Sequence, residues 1–214
     1  MNTHEKIWRE ALNLFSVKGF EAVSVRDIAG AVGIKESSLY NHYKNKQDIF
    51  DTIIRECWSR TDEQFHSIAL LGDDRQWAAD EQTVGLYADI TPEQLTELAL
   101  HIFDYIFTDE TNVKMRRMLT LEQYRSDYLT QAFRQTSFDA ALDYQSALFA
   151  GLMHAGSFVE ADPYMVAMAF FAPIFLIFYK YDNTEQGLQD AREMFKRHLS
   201  HFIKMYSKNG GVKQ

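Results

Sequence analysis

The sequence predicts an all-α fold, with a small N-terminal three-helix domain followed by a larger helical one. Three observations carry this. Apolar residues recur at three- and four-residue spacing along most of the chain, and no run alternates as a half-buried strand would. Helix-start signatures punctuate the sequence, at Ser24 with Asp27, Thr91-Pro92 with Gln94, Asp162-Pro163, and Asn183 with Gln186. Aliphatic and aromatic residues make up 46% of the 214, enough for a sizeable core.

The first helix places Ile7, Ala11, Leu12 and Phe15 on one side and ends before Gly19-Phe20. The second begins at Ser24, where a capping box with Asp27 satisfies two backbone donors, and buries Val25, Ile28, Ala29 and Val32. Gly33 supplies the positive φ that stops it and turns the chain. Ile34 plugs the turn. A third helix follows, with Leu39 and Tyr43 four apart and therefore on one packing side.

That order is a helix-turn-helix, the device that lays a short helix in the major groove of duplex DNA. With Leu39 and Tyr43 facing inward, Lys35, Glu36, Ser37, Ser38 and Asn41 face elsewhere. They are short or polar types suited to base edges and phosphates. Tyr40 and His42 can donate to phosphate oxygens. Lys44 and Lys46 flank Asn45 just before a long helix, where a helix N-terminus adds to the attraction for phosphate. With Ser24 and Arg26, these are the candidate DNA-binding residues. The alternative is a trio of small helices that pack without nucleic acid, Tyr40 and Tyr43 both being core.

The segment resembles the DNA-binding domain of the TetR family of bacterial repressors. The residues carrying the resemblance are Val25-Arg26-Asp27-Ile28-Ala29, Ala31, Gly33, Leu39-Tyr40, His42-Tyr43, Lys46 and Ile49-Phe50, together with the preceding helix and Gly19-Phe20. It covers about the first 55 residues. Beyond them the likeness lies in helical content and length. Lys35 stands where the family usually has a small hydroxyl residue, Ser37 where it often has glycine, and Gly30 lies inside a helix. The first two bear on the cap and approach angle of the reading helix. The resemblance implies a homodimer.

Three regions follow: 1–46 as the helix-turn-helix DNA-binding domain, 47–208 as a helical ligand-binding and dimerisation domain, and 209–214 as a flexible tail. Lys46 to about Leu70 reads as one long helix with Ile49, Ile53 and Cys57 in a stripe. The segment 73–90 reads as a loop holding a short helix around 76–87. Helices are then expected at 91–107, 110–124 and 126–155, the last with a possible break near Thr136-Ser137 and closed by Gly156. An apolar helix from Asp162-Pro163 to Tyr181 and a final helix ending near Lys208 complete the chain. The final helix carries Leu188, Ala191, Phe195, Phe202 and Tyr206 at helical spacing.

The helices at about 162–181 and 184–208 are the expected homodimer surface, forming a four-helix bundle across a two-fold axis. The alternative for the apolar helix is an internal core helix. A dimer places two reading helices on a palindromic operator, their centres about 34–36 Å apart if they lie one turn apart. A small-molecule inducer that alters this separation would release DNA. Its cavity is expected between the long helix after residue 46 and the helices at 91–155. Candidate liners are Trp77, Tyr87, Phe103, Tyr105, Phe107, Met118, Tyr124, Phe149 and Met153, with plain core packing as the alternative for each. Asp104 and Glu122 nearby suggest a cationic ligand.

The expected function is a DNA-binding transcriptional repressor released by an inducer. The alternative is a DNA-binding protein acting through a protein partner. Net charge is −8, yet residues 1–50 carry seven basic and six acidic residues, leaving −9 to the remainder. The acidity lies outside the candidate DNA domain. No nucleotide-binding, hydrolase or zinc-hydrolase motif is present, so neither catalysis nor a cofactor is expected. His198 and His201 are three apart, but no further ligand pattern supports a metal. The single cysteine, Cys57, fits a reducing cytoplasm, and its place on the apolar stripe favours core over redox sensing. The apolar run from Tyr164 to Tyr179, with Pro173 inside it, is shorter than the roughly 20 residues of a spanning helix.

Overall fold

The computed structural model describes residues 2–67, 79–182 and 186–208. Trp77, the Asn183 cap and the 209–214 tail lie outside them. The described chain is helical, in the order α1 (Thr3–Lys18), α2 (Val25–Val32), α3 (Glu36–Leu39), α4 (Lys46–Ser67), α5 (Glu81–Asp89), α6 (Pro92–Thr108), α7 (Glu110–Glu122), α8 (Asp127–Arg134), a π-helical turn (Gln135–Asp139), α9 (Ala140–His154), α10 (Pro163–Tyr181) and α11 (Gly187–Tyr206). It forms two compact units, one of residues 1–63 and 109–137, the other of 64–108 and 138–214.

In the first unit α1 packs on α2 and α7, α2 on α3, and α7 on α8. The apolar faces read from the sequence converge: Ile7, Ala11, Phe15, Ile28, Leu39, Ile49, Phe50 and Ile53 are all fully buried. Cys57 is buried with them, and burial pushes its thiol up to about 12, so it stays protonated and inert. The return of α7 to α1 is fixed by a buried carboxylate. Glu122 is 1% exposed, and its Oε1 accepts a 2.8 Å hydrogen bond from the Phe20 backbone N–H, 102 residues away. Its Oε2 lies 3.2 Å from Nε of Arg125. Glu122 is thus committed to the turn after α1 and not to a cationic ligand.

Gly19 makes that approach possible. Its backbone sits at φ 82°, ψ 158°, a region open essentially to glycine alone. A Cβ there would meet Glu122 Oε1 at 2.5 Å.

In the second unit α10 packs on α9 and α11, α11 on α6, and α5 on α9. Gly151 lets α5 close on α9, since a Cβ there would meet Val84 at 2.4 Å. α5 starts at Asp80, whose side chain accepts from the Thr83 N–H at 2.7 Å. The expected break near Thr136-Ser137 is the π-helical turn, a widened turn between α8 and α9. α10 runs through Pro173 to 19 residues, long and apolar enough to cross a membrane by length and composition. Its Val166, Ala167, Ile174, Ile177 and Phe178 are buried within this unit. The apolar stripe of α11 differs from expectation. Ala191, Phe195 and Phe202 point into the unit's own core, where Phe195 stacks on Phe103 at 4.5 Å, rather than outward to a partner. α11 begins at Gln186, whose side chain makes no cap bond.

Two glycine substitutions separate these effects. Gly19→Ala should lower stability by at least about 2 kcal/mol, from backbone strain together with the Glu122 clash. Gly30 is exposed on α2 with open space around a would-be Cβ. Gly30→Ala should therefore raise stability by about 0.5–1 kcal/mol. Urea denaturation of both variants measures the difference, and similar midpoints would contradict it.

Candidate functional sites

Two sites stand out, one on each unit. The first is the outward face around α3. Ser24 opens α2 with the expected capping box: its Oγ accepts from the Asp27 N–H at 3.1 Å, and Asp27 Oδ2 accepts from the Ser24 N–H at 2.8 Å. The Ser24 hydroxyl also donates to that carboxylate, and these bonds hold the Asp27 carboxyl below its usual range. Gly33 takes the left-handed conformation at φ 81°, ψ 31°, and its N–H returns to the Ala29 carbonyl. α3 then spans only Glu36–Leu39, followed by a turn through His42. Lys35 is its N-cap and provides no side-chain hydrogen bond, since a lysine has no acceptor with which to cap a helix N-terminus.

So short a helix needs anchors. Leu39 is fully buried, and Tyr43 is 2% exposed. The Tyr43 hydroxyl donates to the His4 carbonyl at 3.0 Å, and the two rings stack at 4.6 Å. Burial is the main reason its hydroxyl titrates far above the usual tyrosine range. Lys6 reaches across from α1 to cap the end of α2, donating to the Val32 carbonyl at 2.8 Å. Asn45 caps α4 by accepting from the Asp48 N–H at 2.8 Å, and Asp48 accepts from the Lys44 N–H at 2.9 Å.

The candidate DNA-binding residues therefore divide. Ser24, Arg26, Lys35, Glu36, Ser37, Tyr40, Asn41, His42 and Lys44 are exposed on this unit, and Ser38 is half-buried. Lys46 is turned inward: its ammonium donates to the carbonyls of Phe20 (2.8 Å) and Val23 (3.1 Å) and lies 4.2 Å from the Phe20 ring centroid. It ties α4 to the loop before α2. Lys6 plays a similar part and was not singled out by sequence pattern, because a lysine on a helix reads as solvated until its acceptor is known.

The second site is a cavity of about 250 Å³ inside the second unit. Of the expected liners, Tyr87, Phe103 and Phe149 border it, alongside Phe170, Phe178 and Phe202. Phe107 and Met153 are buried in the surrounding core, and Tyr105 is half-buried outside the lining. Met118 and Tyr124 belong to the other unit, Met118 fully buried and Tyr124 90% exposed. The cavity is bordered by α5, α6, α9, α10 and α11, and no described residue of α4 takes part. Asp104 is paired with Arg192 at 3.3 Å and does not face the cavity.

Among the described residues the 22 that line the cavity include none with a charge. Its polar groups are Tyr87, Tyr144 and Gln145. The two phenols are hydrogen-bonded to each other, and burial pushes Tyr144 up to about 12 and Tyr87 higher still, so both are neutral. Gln145 Oε1 is buried and has no hydrogen-bond partner. Such an orphaned acceptor costs about 1–3 kcal/mol. Tyr144 and Gln145 escaped the sequence reading because the polar residues Asp143, Gln145 and Ser146 fall on different sides of α9, so no face of it is marked as inward.

Comparison with known proteins agrees with this geometry. Residues 7–53 match the family model "Bacterial regulatory proteins, tetR family". The IcaR negative transcriptional regulator of the Staphylococcus epidermidis biofilm operon icaADBC is 31% identical over 112 residues, 52% of this chain and 50% of that protein. IcaR of Staphylococcus aureus (strain Newman) is 39% identical over 54 residues, 25% of this chain and 29% of its own. The chain thus spans half or less of the length of these relatives. Among solved structures, the SmeT–triclosan complex superposes with a TM-score of 0.72 at 19% identity, covering 99% of this chain and 95% of that one. A TetR-family regulator from Mesorhizobium loti gives 0.70 at 19% identity, with 96% of each chain covered. The shared fold is all-helical, with an N-terminal helix-turn-helix and a helical C-terminal region. Residues 7–53 are thus similar to the DNA-binding domain of the TetR family, and the whole chain shares the fold of the solved structures compared.

Lys46→Met should expose the structural use of that side chain. It removes two bonds to carbonyls, and stability should fall by about 1–3 kcal/mol. Lys44→Met, with the same loss of charge, should leave stability within about 0.5 kcal/mol. Thermal unfolding compares the pair, and equal melting temperatures would contradict the assignment.

Proposed function

We propose that this protein is a DNA-binding transcriptional repressor of the cytoplasm. It binds a palindromic operator as a homodimer and releases it when a small molecule fills the cavity of the second unit. The observation carrying this reading is the division of side chains around α3. Leu39 and Tyr43 hold the helix from within, while Lys35, Ser37, Tyr40, Asn41, His42 and Lys44 stand outward without competing core roles. Asn41 and Ser37 are types that read base edges, and Tyr40, His42 and Lys44 are types that hold phosphate. The first 50 residues are only weakly basic, so each subunit makes few phosphate contacts and needs a second subunit for affinity. The functional division is drawn near residue 46, the part ahead of it reading DNA and the part behind it binding ligand and partner.

Support for the dimer comes from α10. Met165, Met168, Ala172, Leu176 and Tyr179 share one stripe, and all are exposed, Met165 at 60% and Leu176 at 63%. An apolar stripe of this length in water is an association surface. Leu188 and Met205 of α11 add exposed apolar area. A second copy related by a two-fold axis would bury the same stripe on both sides. Support for the inducer comes from the cavity and from likeness to SmeT, described as the repressor of the Stenotrophomonas maltophilia multidrug efflux pump SmeDEF and solved with triclosan.

Selection of bound sites from genomic fragments, followed by a salt titration, tests the reading. It should return two inverted half-sites. Lys44→Ala should weaken binding to every sequence and reduce the salt slope by about 1, whereas Asn41→Ala should cost about 1–3 kcal/mol and relax preference at one position per half-site. Unselective binding, or equal and uniform losses from both variants, would contradict it.

A further inference from the structure

We infer that the cavity takes an uncharged, largely apolar ligand of one or two rings that carries a hydrogen-bond donor, and that Gln145 Oε1 is its acceptor. This deepens the proposed effector role of the cavity and rests on it only for the consequence in DNA binding. The lining carries it. No charged side chain among the described residues borders the cavity, and the two phenols that do are neutral and bonded to each other. An ion entering this space would shed its hydration with nothing to replace it. A neutral ring system meets Phe103, Phe149, Phe170, Phe178 and Phe202 instead.

Size sets the second limit. A cavity of about 150 Å³ admits a single benzene ring. The volume here, about 250 Å³, leaves room for a second small ring or a short alkyl chain.

The third limit is the orphaned oxygen. Gln145 lies on the wall of a largely apolar chamber, beside the two phenols, with its Oε1 buried and unpartnered. A ligand hydroxyl or amide N–H would satisfy it. A ligand of the same shape with no donor would leave it orphaned. Gln145 is therefore a specificity-determining residue.

Calorimetric titration of the purified full chain near neutral pH with four probes tests this: 4-propylphenol, 4-propylanisole, 4-propylbenzoate and 4-propylbenzylammonium. The phenol should bind about tenfold more tightly than the anisole. The two ions should bind at least about 100-fold more weakly than the phenol. Gln145→Leu, and independently Gln145→Met, should erase the phenol's advantage while leaving anisole affinity unchanged or improved. Leu152→Trp, which fills the chamber, should abolish binding of both neutral probes and so locate the site. The inference is overturned if an ion binds as well as the phenol, if the phenol's advantage survives the folded Gln145 variants, if Leu152→Trp leaves affinity intact, or if no neutral probe binds. Operator affinity measured with and without 4-propylphenol keeps the two readings apart. Gln145-dependent binding with no change in operator affinity would defeat the effector role and leave the ligand class standing.

Discussion

A helix of four residues has no stability of its own, because the entropy of fixing a single turn exceeds what its one or two hydrogen bonds return. The orientation of α3 must therefore come from its neighbours. Leu39 and Tyr43 bury its inner side. The Tyr43 hydroxyl is tied to the carbonyl of His4, Lys6 closes the end of α2, and Lys46 holds the loop that leads into it. Each of these polar atoms reaches a backbone carbonyl, and each would be destabilising without it. The outward face of α3 is set in orientation by these inward contacts.

The same logic extends to α7. Glu122 is an acidic side chain in a core position, tolerated because it caps an otherwise orphaned N–H after Gly19 and meets Arg125 at the surface. The carboxylate ties α7 to the turn after α1 through this one bond. Gly19 is the complement of that choice, since only a residue without Cβ leaves room for the oxygen.

Much of this architecture was legible in the sequence. The capping box at Ser24, the left-handed Gly33, the inward Leu39 and Tyr43, the Thr91 and Asp162 helix starts and the break near Thr136 are all local signals, set by dihedral preference and short-range hydrogen bonds. What was not legible depends on distant partners. Nothing near Lys46 indicates that its ammonium will be spent on carbonyls more than 20 residues back, and nothing near Glu122 points to Phe20. The α11 stripe was visible as a stripe, but periodicity does not say whether a face meets its own unit or another chain. α10, apolar on nearly every side, and α9, with its polar residues scattered round it, carry no directional signal. The cavity wall they form, with Tyr144 and Gln145 in it, became visible only once the helices were packed.

The most direct measurement of the central claim is amide chemical-shift mapping of the isotope-labelled full chain on adding a duplex recovered by site selection. The largest shifts should cluster at residues 24–26 and 35–44, while the amides of Ile7, Leu12 and Ile28 in the supporting core barely move. Shifts concentrated instead along α7 and α8, with α3 silent, would show that the protein meets DNA by a different face and would contradict the account.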